Sequence, residues 1–448
     1  MKRTMAMWLT VLLLAFVAAA CSGGSGGETG GGTADGGGTD AGAAEPASAE
    51  AANGDEPVEL TLAYPGNDDK KEELEAFLAK FTEKYPNVKV NLLFVPSNGW
   101  ADYFNKLETM AAAGNAPDVI RVAIEGIQMF VKRDMALPLD EYMSLDPNAL
   151  ENYEDIHEKL QSPFVIDGQT YAFAWDWNNV VVHINTDMLK KAGLEVPDGN
   201  WTKDDFLRYA QAMTTEENGQ KTYGFFIPNY YFGASAWLIN NGANILNEDM
   251  TKSTLDDPKA IEVMQFFQDL IYKYEVAPVP NANSDQIQML MSGQVGMIAA
   301  GKWPFGAYES NGFKSVEVQL VPRFTEQKVL FGVGAFPVMK STKHPKEAYQ
   351  LSAFLAGSDS QRTLLSADSI PARKSVMEEV LPKTPIQNWN IYAESADLAV
   401  AVQSPPDYAG VEGIFNRYMS AILSNQMDAE SAMKQAAQEI NELLAKSQ

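Results

Sequence analysis

The sequence predicts an α/β protein of layered sheets and helices, on three observations. Its 448 residues exceed one ordinary domain and suit two or three. From residue 58 onward, short apolar runs of period two alternate with longer runs of period 3.6, the pattern of strands and helices packed in layers. The first of these runs make a strand–helix–strand unit, which favours a right-handed crossover in a largely parallel sheet. Hydrophobic residues are 46% of the chain, enough to fill sizeable cores.

Taken in order, the chain opens with Lys2 and Arg3, an apolar stretch from Trp8 to Val17, and Ala18-Ala19-Ala20 ahead of Cys21. A positive start, a short apolar centre and small residues are the parts of a secretory signal, and the stretch is too short to span a bilayer comfortably. Val17 to Cys21 resembles a relaxed bacterial lipobox. That resemblance implies a signal peptide over 1–20, cleavage before Cys21 and lipidation of Cys21, the chain's only cysteine. Residues 21–57 are then the lipidated residue and a flexible tether. Residues 22–56 hold 12 glycines and seven acids, with no base, no aromatic residue and no Leu, Ile, Val or Met, so they cannot offset the entropy of ordering. Gly23-Gly24-Ser25-Gly26-Gly27 has the letters of a hydrolase nucleophile elbow but lacks the strand and helix that motif needs.

Val58, Leu60, Leu62 and Tyr64 alternate as a strand. A helix is expected from about Asp69 to Tyr85, with Leu74, Phe77, Leu78, Phe81 and Tyr85 on one face. Pro86-Asn87 turns the chain into a second strand at Val88, Val90, Leu92 and Phe94. A helix from about Ala101 to Ala113 and a strand from Pro117 to Val122 follow. Val180 to Ile184 reads as a buried strand, and Thr202 as the cap of a helix with Asp205 three positions on. Asp257 precedes Pro258 at another helix start. Further strands are expected at Val295–Ala300 and Val316–Val321, and helices from Pro345 and around Met433 to Leu443.

Acids outnumber bases 59 to 34, a net charge of -25, which excludes the clustered basic surface of nucleic-acid binding. One cysteine permits no intramolecular disulfide. His157, His183 and His344 are scattered and no Cys/His cluster exists, so no metal and no cofactor are expected.

Several segments, in order, resemble the extracellular solute-binding proteins of ABC importers, in particular the sugar-binding, maltose-binding-protein-like group. They are Phe81 to Val90, Ala113-Gly114-Asn115-Ala116-Pro117-Asp118, Met135 to Asp140, Asp167 to Ala172 leading to Ile184-Asn185, Trp237 to Ala243, Met291 to Met297 with Gly301-Lys302-Trp303, Lys343 to Ala348, and Ile370 to Arg373. Phe173 stands where the family often has proline. The resemblance implies a two-lobed periplasmic-binding-protein-like (Venus flytrap) fold, each lobe a mostly parallel sheet flanked by helices. The lobes are set at 58–168 plus 333–362 and 169–332 plus 363–448, with the ligand in the cleft between them. It also implies a monomer on the extracytoplasmic face of a bacterial membrane, partnered by ABC permease subunits.

A sugar presents apolar C–H faces and a ring of hydroxyls, so its site needs aromatic platforms and directional polar groups. Trp100, Trp175, Trp177, Tyr230, Tyr231, Phe232 and Trp303 are expected in loops, beside Asn67, Asn98, Arg121, Glu125, Asp176 and Asn178. Trp303 follows a strand, where the family often stacks an aromatic on sugar; the other reading is lobe packing. Of Tyr230 and Tyr231, one is expected in the core and at least one on the ligand. Asp176 between two tryptophans is hard to bury without a partner. Glu125 is either a cleft residue or a solvated helix cap, Trp100 either ligand platform or packing, and Arg121 either bridges a hydroxyl or pairs with a local acid. Trp201 and Trp237 are expected to be structural, beside helix starts. The expectation is carbohydrate capture, without catalysis. The alternatives are a polyamine or other cation in the same fold, and a lipid-anchored glycoside hydrolase using two carboxylates.

Overall fold

The computed structural model describes residues 56–281, 283–365 and 368–446; the signal segment, Cys21 and the tether up to residue 55 lie outside them. The expected strand–helix–strand unit is β1 (Val58–Pro65), α1 (Lys71–Lys84) and β2 (Val88–Val95). β1 and β2 pair in parallel from Val58 opposite Val88 to Pro65 opposite Val95. α1 buries Leu74, Phe77, Leu78 and Phe81, the stripe that helical spacing puts on one side. After α2 (Trp100–Ala112), β3 (Val119–Ile120) adds in parallel to the other edge of β1. β4 (Val122–Ala123) runs straight into α3 (Ile124–Lys132).

β5 (Ala174–Asn179) and β6 (Val181–Asn185) are separated by Val180 alone, yet belong to different sheets. Phe173, the residue in place of proline, is a buried ring against Tyr153 and Tyr349 at the start of β5. α4 (Lys203–Met213), α5 (Tyr231–Asn240) and α6 (Pro258–Tyr272) follow. α4 opens with the expected reciprocal cap between Thr202 and Asp205, and Asp257 caps α6. Trp237 is fully buried in the middle of α5 rather than beside its start, and the Trp201 indole donates to the Leu320 carbonyl.

β7 (Met297–Ala300), α7 (Phe305–Ser310) and β8 (Val316–Leu320) form a crossover that brackets β6. β7 and β8 each pair antiparallel with β6 and so run parallel to each other. The expected parallel pairing is found in the β2–β1–β3 sheet, whereas this sheet is antiparallel at both edges of β6. β6 lies reversed between β7 and β8, and the helical connection that two parallel strands require is supplied between those two by α7.

β9 (Val329–Ala335) returns antiparallel to β5, with a register shift at Gly334/Ala335. After α8 (Pro345–Leu355), β10 (Ile370–Pro371) joins the other edge of β5 and β11 (Ala399–Ala401) adds in parallel to β9. β4 also pairs with β9, antiparallel at Gly334 and Ala335. α9 (Tyr408–Leu423) and α10 (Ala429–Lys446) end the fold. No described helix is long and apolar enough to cross a membrane.

Candidate functional site

β5 and β9 form one wall of a cavity of about 460 Å3, within the usual range for small-ligand sites. The first turns of α2, α3, α5 and α9 also reach it, through Trp100, Glu125, Phe232 and Tyr408, and Glu412 joins them from one turn further along α9. Trp303, between β7 and α7, lines the same space.

β5 alternates as a strand must, which places Trp175 and Trp177 on one face and Asp176 and Asn178 on the other. The two indoles are tied down: Trp175 Nε1–H donates to Ser360 Oγ at 2.9 Å and Trp177 Nε1–H to the Pro371 carbonyl at 3.1 Å. Asp176 meets Arg121 in a buried ion pair, Nη2 to Oδ1 at 2.5 Å, and its other oxygen accepts from Ser369 Oγ at 2.9 Å. The guanidinium also donates to the Val122 carbonyl. It lies 4.9 Å from the Trp175 ring and 5.6 Å from Trp100. Gly334 makes this approach possible, since a Cβ there would stand 1.9 Å from Arg121 Nη1. Arg121 thus takes the local-acid role of its two readings. Asn178 Oδ1 accepts the Lys302 backbone N–H at 2.7 Å.

The aromatic lining comes from separate segments. Trp303 is half-buried, with its ring folded over Gly301, where a Cβ would stand 2.2 Å from it. Phe232 lies 6.3 Å from Trp303 between centroids. Tyr230 immediately precedes α5, and its hydroxyl donates to the Ala299 carbonyl at 3.2 Å. Trp100 stacks on Phe104.

The acidic lining is less settled. Glu125, in the first turn of α3, is 5% exposed, and its Oε2 has no hydrogen-bond partner. Burial pushes its carboxyl up to about 7, with the Glu412 carboxylate adding to the shift. Glu412 is itself raised by burial, and its Oε1 accepts from Tyr408 Oη at 3.1 Å.

The structure therefore brings together Trp100, Arg121, Glu125, Asp176, Trp177, Asn178, Tyr230 and Trp303. It places two residues elsewhere. Tyr231 is fully buried between Tyr408 and Phe415, with its hydroxyl on the Gln403 carbonyl. Helix geometry turns it to the core when its neighbour faces the cavity. Asn67 is exposed, before a 3-10 turn, and does not line the cavity. Sequence reasoning noted Phe232 and Asn98 beside the cluster and missed Tyr408 and Glu412. Their i, i+4 spacing just after Pro405-Pro406 was the available signal, since it puts both on one face of a new helix.

Residues 76–393 match the family described as bacterial extracellular solute-binding protein. An uncharacterized ABC transporter extracellular-binding protein of Pyrococcus horikoshii is 23% identical over 382 residues, covering 83% of this chain and 84% of that protein. The diacetylchitobiose-binding protein of Streptomyces coelicolor is 25% identical, covering 84% and 87%. Among solved structures, an ABC substrate-binding protein of Listeria monocytogenes in complex with cycloalternan superposes with a TM-score of 0.79. It is 23% identical and covers 87% of this chain and 100% of that one. Maltose-bound MalE3 of T. maritima gives 0.73 at 21% identity, covering 86% and 100%. These likenesses show the two-lobed periplasmic-binding-protein fold.

Proposed function

Because the chain belongs to the bacterial extracellular solute-binding protein family, we propose that it captures a carbohydrate, specifically an oligosaccharide, and delivers it to an ABC permease. The observation that carries this reading is the lining of the cavity. Trp100, Phe232, Trp303 and Tyr408 offer flat apolar faces from different directions, and Asn98, Glu125, Asp176 and Asn178 offer directional partners between them. A sugar ring needs both kinds of surface at once. A relative named for diacetylchitobiose, and similar structures holding cycloalternan and maltose, support the same ligand class.

The lobes are assigned to 58–168 with 333–362 and to 169–332 with 363–448, so the cavity draws on both. Ligand then favours a closed state to the extent that it touches both sides. The protein acts as a monomer outside the cell, anchored through lipid on Cys21. It binds without turnover, a reading supported by the tie of Asp176 to Arg121 and Ser369, which occupies one carboxylate a hydrolase would use.

Titration calorimetry against malto-, cello- and chito-oligosaccharides tests this. One series is expected to bind, with intact sugar recovered afterwards. Trp303→Ala is expected to stay folded and lose more than about tenfold in affinity, the scale of a stacked aromatic anchor. Smaller sugars released on incubation would instead assign a hydrolase.

A further inference from the structure

The charges lining the cavity do not balance. Arg121 is the one cation among the described residues that line it, against Glu125, Asp176 and Glu412, and it is already committed to Asp176 and the Val122 carbonyl. That leaves Glu125 and Glu412 as an acid pair, one of them with a buried, unpartnered oxygen. Resting on the carbohydrate reading above, we propose that the sugar taken by this cavity carries a protonated amino group, seated against Glu125 and Glu412.

A neutral sugar would strip water from both carboxyls and return no countercharge, a cost borne by the complex. An ammonium offers Glu125 Oε2 a charge-assisted hydrogen bond. The rings of Phe232, Trp303 and Tyr408 around the same space also suit a cation. Glu125 sits in the first turn of α3, and Glu412 one turn into α9, four residues after Tyr408. The N-terminus of α3 favours negative charge on Glu125, so its ionised form is available to a cationic ligand. The groups facing Glu125 are Arg121, Asp176, Tyr231, Tyr408 and Glu412. Because burial and Glu412 hold the Glu125 carboxyl up to about 7, an amino sugar should bind more tightly as pH rises towards 7. A neutral sugar should not.

The experiment is calorimetry on the intact protein with four probes: β-1,4-linked glucosamine dimers to tetramers, their N-acetylated counterparts, maltose to maltotetraose, and spermidine. The glucosamine series is expected to bind more than about tenfold tighter than the neutral series, the factor equivalent to one unit of carboxyl pKa. Glu125→Gln and Glu412→Gln, both nearly isosteric, are each expected to abolish that preference and its pH dependence, read as the ratio of glucosamine-series to neutral-series affinity within each variant. A neutral series that binds best and ignores both substitutions overturns the amino-group proposal and leaves the carbohydrate reading intact. A preference for amines that survives both substitutions overturns the assignment to these carboxyls. Binding of spermidine alone, or of no probe, overturns the proposal together with the carbohydrate reading.

Discussion

Glu125 shows how one buried carboxyl can couple acidity to stability. In the folded protein burial holds it up to about 7, against an ordinary value of 4.5. Between those limits the folded state binds more protons than the unfolded one, so stability falls as pH rises through the window and is lowest above 7. The drop is on the order of 3 kcal/mol. Glu125→Gln is expected to flatten this slope and stabilise the protein at pH 8; equal urea midpoints for wild type and variant at pH 5 and pH 8 would sink the idea. Arg121 and Asp176 behave oppositely, as a pair whose halves need each other. With side chains 6% and 11% exposed, Arg121→Ala leaves an uncompensated buried carboxylate and should cost about 3–5 kcal/mol. The double change Arg121→Met with Asp176→Leu should cost less than either single one, as a denaturation cycle would reveal. Most of the lining was legible as residue types, because aromatics beside amides and acids are what a sugar site needs. Tyr231 and Asn67 were not, since their fate depends on which way a helix start and a turn face. Glu412 lay far along the chain, with nothing local to tie it to Glu125.

At the scale of elements, the helices with explicit punctuation were read well. Thr202 with Asp205 and Asp257 with Pro258 begin their helices where expected, because a cap is a local device. β5 and β9 were not foreseen. The run Ala-Trp-Asp-Trp-Asn-Asn alternates bulky and polar residues, but tryptophans flanking an acid resemble a binding loop as much as a strand. Gly332 and Gly334 dilute the strand signal of β9. Those glycines have a purpose visible only in three dimensions. Gly334→Ala would drive a methyl into the Arg121 guanidinium and should destabilise by about 1–3 kcal/mol. Sugar affinity should fall with it, because the Asp176 wall shifts; thermal midpoint and calorimetry together check this, and an unchanged midpoint argues that the strand can yield without cost.

For the whole molecule, the proposed lobes 58–168 with 333–362 and 169–332 with 363–448 make closure the motion to test. X-ray scattering is expected to give a smaller radius of gyration with saturating sugar than without. At a hundred times its dissociation constant the ligand should add about 2.7 kcal/mol of stability. A thermal shift with no change in scattering would point to binding by an already closed form. The cavity has one more consequence, and it concerns time. Its walls are drawn from residues as far apart as Asn98 and Glu412, so no fragment finished early in synthesis holds a working pocket. Contacts of such long range form slowly. A chain exported through a membrane while still unfolded would therefore cross with its pocket unmade, blind to the sugars of the cytoplasm. It would become competent only after its last helices had packed on the far side.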